Sequence, residues 1–205
     1  QAWRYPSKPW VAQQLLHPIL TSIAKLLYGI GGLGRIFLTI VKKFQLLSRP
    51  VERVEKAGGR PDFVERKMPN ALAQLALHQF AKLEQFNAHR RKIATSYDAR
   101  LGLRSNGGRA SEYPTGQIFL RYTIRTPLAA DILQQAKKQN IFLGDWYRTP
   151  IAPDGVDYRA IGYQPGSCPV AEKLAGESLN LPTDIHITEK DAARIVQFIT
   201  SKKEN

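Results

Sequence analysis

The chain has 205 residues, 43% of them hydrophobic and 23% charged, enough to bury a core in one domain or slightly more, which excludes an intrinsically disordered chain. Thirty Lys and Arg against 17 Asp and Glu give a formal net charge of +13, a balance that suits nucleic acid, an anionic membrane surface or a phosphorylated substrate. The single cysteine, Cys168, excludes an intramolecular disulfide and any multi-cysteine zinc site, and is expected to be a small buried apolar residue in a reducing compartment.

The sequence opens at Gln1 with QAWRYPSKPW, which lacks the apolar core and cleavage site of a secretory signal and reads as the start of a truncated or processed chain. Residues 10–47 follow as a strongly apolar run with leucine and isoleucine at mixed three- and four-residue spacing, the period of helix. Within it Gly29, Gly31 and Gly34 match G-x-G-x-x-G. That fingerprint wraps a dinucleotide pyrophosphate only when a strand runs into the first glycine and an acid lies about 20 positions on. Glu52 and Glu55 lie near that distance, but the run before Gly29 is too long and unpunctuated for a lone strand. The glycines therefore predict the turn of a helical hairpin, where the backbone has to leave the right-handed helix.

Lys25 and Arg35 interrupt the hairpin, so no charge-free window reaches the ~18 residues that a spanning helix needs. Its apolar faces mark an interface. The expectation is that they pack on a domain or subunit outside this chain. The alternative is peripheral contact of 10–47 with anionic headgroups, helped by the basic tail that Lys42 and Lys43 begin. Neither that tail nor His89-Arg90-Arg91-Lys92 is interleaved with stacking aromatics, which argues against nucleic acid.

After the break at Gly58-Gly59-Arg60-Pro61, apolar residues recur from Leu72 to Leu101 and predict one long amphipathic helix over 69–101, opened by Pro69 and closed by Gly102. His78 and His89 fall near one face of it by spacing, with no carboxylate partner to complete a metal ligand set, so no metal site is assigned. A loop carrying Asn106-Gly107-Gly108 leads to a strand over 117–125, recognised by its alternation. Pro127 opens a helix ending at Asn140, IFLGDW reads as a short strand, Pro169 starts another helix, LNLP is extended, and Thr188 with Asp191 caps a last helix to about Lys202. This order makes a small α+β domain.

Two blocks of this order carry a resemblance. MPNALAQLALHQFAKLEQFNAHRRKIATSYDARL, from Met68, resembles the segment of DegT/DnrJ/StrS-type sugar aminotransferases in which a Met-containing loop enters a helix reading A-L-x-x-x-Q-L-x-x-L-x-x-F-x-x-x-R-R-x-x-A-x-x-Y. The block CPVAEKLAGESLNLPTDIHITEKDAARIVQFI, from Cys168, is similar to that family's closing pattern of Pro-x-Ala-Glu, a Leu-Pro step and a last helix. Together they cover most of 68–202.

The resemblance implies an α/β enzyme of fold type I dependent on pyridoxal phosphate, of which this chain is an α+β C-terminal portion. Residues 1–60 would form the apolar hairpin and basic linker, 61–104 the long interdomain helix, and 105–205 a small domain with a mixed sheet. The implied activity moves an amino group, with glutamate as donor, to a nucleotide-linked keto-sugar, in a cytoplasmic homodimer. A lipid-linked sugar joins the substrates if the hairpin meets the inner membrane face. The implied Schiff-base lysine lies in the family's N-terminal domain, so no catalytic residue is assigned here and the fragment alone is expected to be inactive.

In the family an Asn-Tyr-Arg-Met element reaches the neighbour's cofactor phosphate. Here it reads Glu65-Arg66-Lys67-Met68, which makes Lys67, in the arginine's place, and then Arg66 the expected phosphate ligands. The loop Asp145-Trp146-Tyr147-Arg148-Thr149-Pro150 falls at the family's substrate side. Arg148 would pair with a diphosphate or carboxylate, and Trp146 or Tyr147 would stack on a ring. Ala152 replaces the family's histidine. The alternative reading of the whole chain is a noncatalytic, basic, membrane-surface interaction module.

Overall fold

The computed structural model describes residues 3–28, 30–48, 51–61, 63–102 and 117–202. They form two units, Gln1–Ala81 and Lys82–Asn205.

The first unit is built on a helical hairpin. Helix α1 (Lys8–Tyr28) runs without interruption through Pro18, and α2 (Leu33–Lys43) follows after a turn in which Gly31 and Gly32 take the left-handed conformation, at φ 52° and 83°. These two positions need glycine because a side chain there would be strained. Gly29 lies outside the described residues. The helices lie antiparallel: Gly34 faces Ala24 and Tyr28, while the Gln13 amide donates to the Gln45 carbonyl at 2.5 Å and His17 bonds Ser48 at 2.9 Å. A helix, not a strand, thus precedes the glycines, as the apolar period predicts. A one-turn helix α3 (Arg53–Lys56), which the sequence reading does not anticipate, opens with the Glu52 N–H donating to the Glu55 carboxylate at 2.6 Å.

The helix expected over 69–101 is two helices, α4 (Asn70–Phe80) and α5 (Leu83–Leu101). Between them Ala81 and Lys82 drift from helical ψ to near zero, at −21° and −2°. Apolar Leu77, Phe80 and Leu83 beside the break stay exposed, so the apolar period there does not report a buried face.

The second unit holds the core. Helix α5 contributes Ile93, Ala94 and Tyr97, and ends as predicted at Gly102, in the left-handed conformation at φ 58°. Helix α8 (Glu189–Ser201) lays Ala192, Ile195, Val196 and Ile199 against α5 with the three- and four-residue spacing of an amphipathic face. Thr188 caps α8 by accepting from the Asp191 N–H at 3.1 Å, and the Asp191 carboxylate accepts from the Thr188 N–H at 2.9 Å, the box expected from the sequence.

Strand β1 (Arg121–Arg125) pairs antiparallel with β2 (Ser178–Pro182), Thr123 opposite Asn180. β1 alternates buried and exposed residues, whereas Leu179 to Pro182 of β2 are all buried, the signature of a strand covered on both faces. Helices α6 (Ala129–Lys138) and α7 (Pro169–Glu177) complete the unit where the sequence places them. IFLGDW does not form the expected strand. It meets β2 only at a bridge between Gly144 and Asn180, with N–H to O distances of 2.7 and 3.3 Å. Asn140 turns the chain at φ 54° and Phe142 points to solvent, 76% exposed. The Asn106-Gly107-Gly108 loop lies outside the described residues.

Candidate functional site

The predicted site residues fall into two groups, one in each unit. In the first unit, residues 4–5 lie alongside 66–67. Arg4 and Arg66 form a parallel bridge, the Lys67 N–H donates to the Arg4 carbonyl at 2.9 Å, and the Lys67 ammonium stands 5.6 Å from the centre of the Tyr5 ring. Backbone pairing fixes where Lys67 begins, and a cation over an aromatic face narrows where it ends. Arg66 lines an open cleft of about 670 Å³ together with Arg60, Glu52, Tyr5, Trp10 and Phe63. Trp10 and Phe63 stack at 6.0 Å across it, and Arg60 pairs with Glu65 at 2.9 Å. Arg66 and Lys67 are both exposed.

In the second unit, the loop after Gly144 carries Trp146, Tyr147 and Arg148, all exposed. Its anchor is Asn180, buried on β2 at 2% exposure. The Asn180 amide donates to the Trp146 carbonyl at 2.8 Å and its oxygen accepts from the Thr123 hydroxyl at 2.7 Å. The Arg121 guanidinium sits 5.0 Å from the centre of the Trp146 ring, and Trp146 meets Tyr147 edge-on at 6.5 Å. Tyr147 holds φ 63°, a conformation uncommon outside glycine and asparagine that clusters at functional loops. Arg148 lines a cavity of about 470 Å³ with Lys137, Asp145, Gln134 and Phe142. Two cations and one carboxylate there leave a net positive lining.

Sequence reading misses Arg121, Asn180 and Lys137. Asn180 had a signal: it is the one polar residue inside the apolar LNLP strand, and a buried amide needs partners. Arg121 had none, because Trp146 comes to it from another segment of the chain, and Lys137 reads as one more basic residue in the last turn of a helix.

Cys168 corrects an expectation. It is exposed, not buried, at the start of α7. Pro169 opens α7, and Glu172 turns back across the preceding loop to accept from the Tyr163 hydroxyl and the Gly166 N–H at 2.5 and 2.7 Å. That bond holds the Tyr163 phenol up at about 12, while the same hydroxyl, followed by the Gly166 amide, lowers the Glu172 carboxyl below its ordinary value. The loop is thereby tied to α7 with Cys168 left on its outside. His89 bonds the Asp184 carbonyl at 3.1 Å, and His78 is exposed on α4. Among the described residues no group of three His, Cys, Asp or Glu side chains is placed to hold a metal ion.

The chain matches the model of the DegT/DnrJ/EryC1/StrS aminotransferase family over residues 51–200. It is 26% identical over 183 residues to the pleiotropic regulatory protein of Geobacillus stearothermophilus, covering 84% of this chain and 47% of that protein. The fold is similar to that of S. venezuelae DesV, solved in complex with a ketimine intermediate, at a TM-score of 0.54 and 22% identity over 74% of this chain and 43% of that one. It is the fold of a fragment of a type I pyridoxal-phosphate aminotransferase. The chain spans about half the length of the curated relative it matches.

Proposed function

The chain belongs to the DegT/DnrJ/EryC1/StrS aminotransferase family, and on that premise we propose that it is the C-terminal part of a pyridoxal-phosphate-dependent enzyme that moves an amino group from glutamate to a nucleotide-linked keto-sugar. The observation that carries the proposal is the family match across 51–200. The enzyme works as a cytoplasmic homodimer, and this chain alone is inactive.

Pyridoxal phosphate, when bound, supplies the electron sink for amino transfer. Among this chain's residues the fit to it is confined to its phosphate. Lys67 and Arg66 are exposed cations with fixed backbones, and a phosphate oxygen is the acceptor such groups take best. Neither a Schiff-base lysine nor an acid for the pyridine nitrogen is assigned to this chain. The sugar nucleotide falls to the second group. Arg148, beside Lys137, holds a diphosphate, and Trp146, braced by Arg121 and by the Asn180 amide, offers a flat apolar face to a ring.

The test uses the longest protein the gene encodes, loaded with pyridoxal phosphate and given L-glutamate and nucleotide-linked keto-sugars, with the aminated product read by mass spectrometry. Product is expected from that protein and none from the 205-residue chain. No product with any keto-sugar would overturn the reading. In the same protein Lys67→Ala is expected to weaken cofactor binding about tenfold or more, as loss of a charge-assisted hydrogen bond does, with partial rescue by Lys67→Arg. Arg148→Ala should raise KM for the sugar nucleotide while leaving cofactor binding unchanged.

A further inference from the structure

We propose that the α1–α2 hairpin is a docking surface for an anionic phospholipid bilayer, lying in its interface without crossing it. This goes beyond the aminotransferase reading and does not depend on it. Each helix keeps a row of large aliphatic side chains in solvent. On α1 the row is Leu16, Ile19, Ile23 and Leu26, and on α2 it is Leu33, Ile36 and Ile40, continued by Phe44. The spacings of three and four make each row a single helical face. Exposure rises to 78% at Leu26, 58% at Ile36 and 68% at Phe44, although apolar rows of this length in water ordinarily have a partner.

The charge around the rows selects the occupant. Lys25 precedes Leu26, Arg35 precedes Ile36 and Lys43 precedes Phe44, so a cation stands about 100° around the helix from each apolar residue it precedes. From that position a long basic side chain reaches headgroups while its neighbour enters the acyl boundary. No aspartate or glutamate occurs before Glu52, so nothing on the hairpin repels anionic lipid. No helix among the described residues is long and apolar enough to cross a membrane, which fits helices that lie on a bilayer. The family match begins at residue 51, beyond both helices.

The test is flotation of the 205-residue chain with vesicles of phosphatidylcholine alone or mixed with phosphatidylglycerol. The chain is expected to float with the mixed vesicles, to be released by high salt, and to bind neutral vesicles weakly. Ile36→Glu/Ile40→Glu should cut binding by more than about tenfold. Both sites are exposed, so circular dichroism should be unchanged. Lys42→Glu/Lys43→Glu should remove the preference for phosphatidylglycerol. Three results would overturn the proposal: no flotation with either vesicle; self-association on sedimentation that Ile36→Glu/Ile40→Glu abolishes, without vesicle binding, which makes a second copy the occupant; or binding by this chain that the longest gene product lacks, which makes the rest of the protein the occupant.

Discussion

Tyr97 shows how much one side chain settles in the second unit. Its ring is fully buried between α5 and the sheet, 5.2 Å from the Tyr122 ring, and its hydroxyl donates to the Pro182 carbonyl at 2.9 Å. Tyr97→Phe keeps the ring and leaves that carbonyl without this donor, an expected loss of about 1–2 kcal/mol in denaturant unfolding. Burial, then the carboxylates of Asp184 and Asp191, hold its phenol well above the ordinary value of 10.0. A raised folded value means that the unfolded chain gives up the proton first. The stabilisation is therefore complete below about pH 10 and declines as pH climbs further. In an alkaline unfolding series, Tyr97→Phe should flatten that decline, and an unchanged slope would show that Tyr97 is not its source. Glu172 has the opposite sign. Tyr163→Phe removes the first cause of its lowered value, so its carboxyl should titrate closer to 4.5 in an NMR experiment.

At the scale of elements, the hairpin closes on a missing side chain. A Cβ on Gly34 would come within 2.7 Å of the Ala24 carbonyl oxygen and 2.9 Å of the Tyr28 nitrogen, both backbone atoms that cannot swing away. Gly34→Ala should force the helices apart at a cost of about 1–3 kcal/mol, read as lost helicity and an earlier melt. Thr188→Ala removes the α8 cap and should cost about 1 kcal/mol. These two sites also mark what was legible from sequence. The cap was readable because Thr188 and Asp191 are local, and the hairpin turn because glycines, Gly31 and Gly32 among them, punctuate one apolar run, although Gly34, expected in the turn, lies inside α2. The break at Ala81–Lys82 was not, since both residues favour helix and nothing nearby signals a stop. IFLGDW reads as a strand by composition, but a strand needs neighbours, and only Gly144 finds one on β2. The exposure of Cys168 follows from a tie between Tyr163, Gly166 and Glu172 that residue type alone does not reveal. Of the candidate site, the exposed residues 66–67 and 146–148 were named from a family likeness, while their braces, Tyr5, Arg121 and Asn180, are contacts between distant segments.

Across the molecule, stability is unevenly shared. Ala24 and Val41 are the buried apolar side chains of the hairpin, whereas α5, β1, β2 and α8 surround a continuous core. Amide hydrogen exchange should therefore be slow in α5, β2 and α8 and fast in α1 and α2. Equal protection of both sets would contradict the burial pattern. One last consequence comes from the small sheet. β2 is flanked by β1 on one side and touched by Gly144 on the other, while among the described residues nothing pairs with the outer edge of β1. That border reads RYTIR, and its two terminal arginines set like charges against the same border of a second copy. Exchanging both for valine would turn the border into an apolar template, and the protein should then gather into thioflavin-positive fibrils on standing, where the parent stays clear.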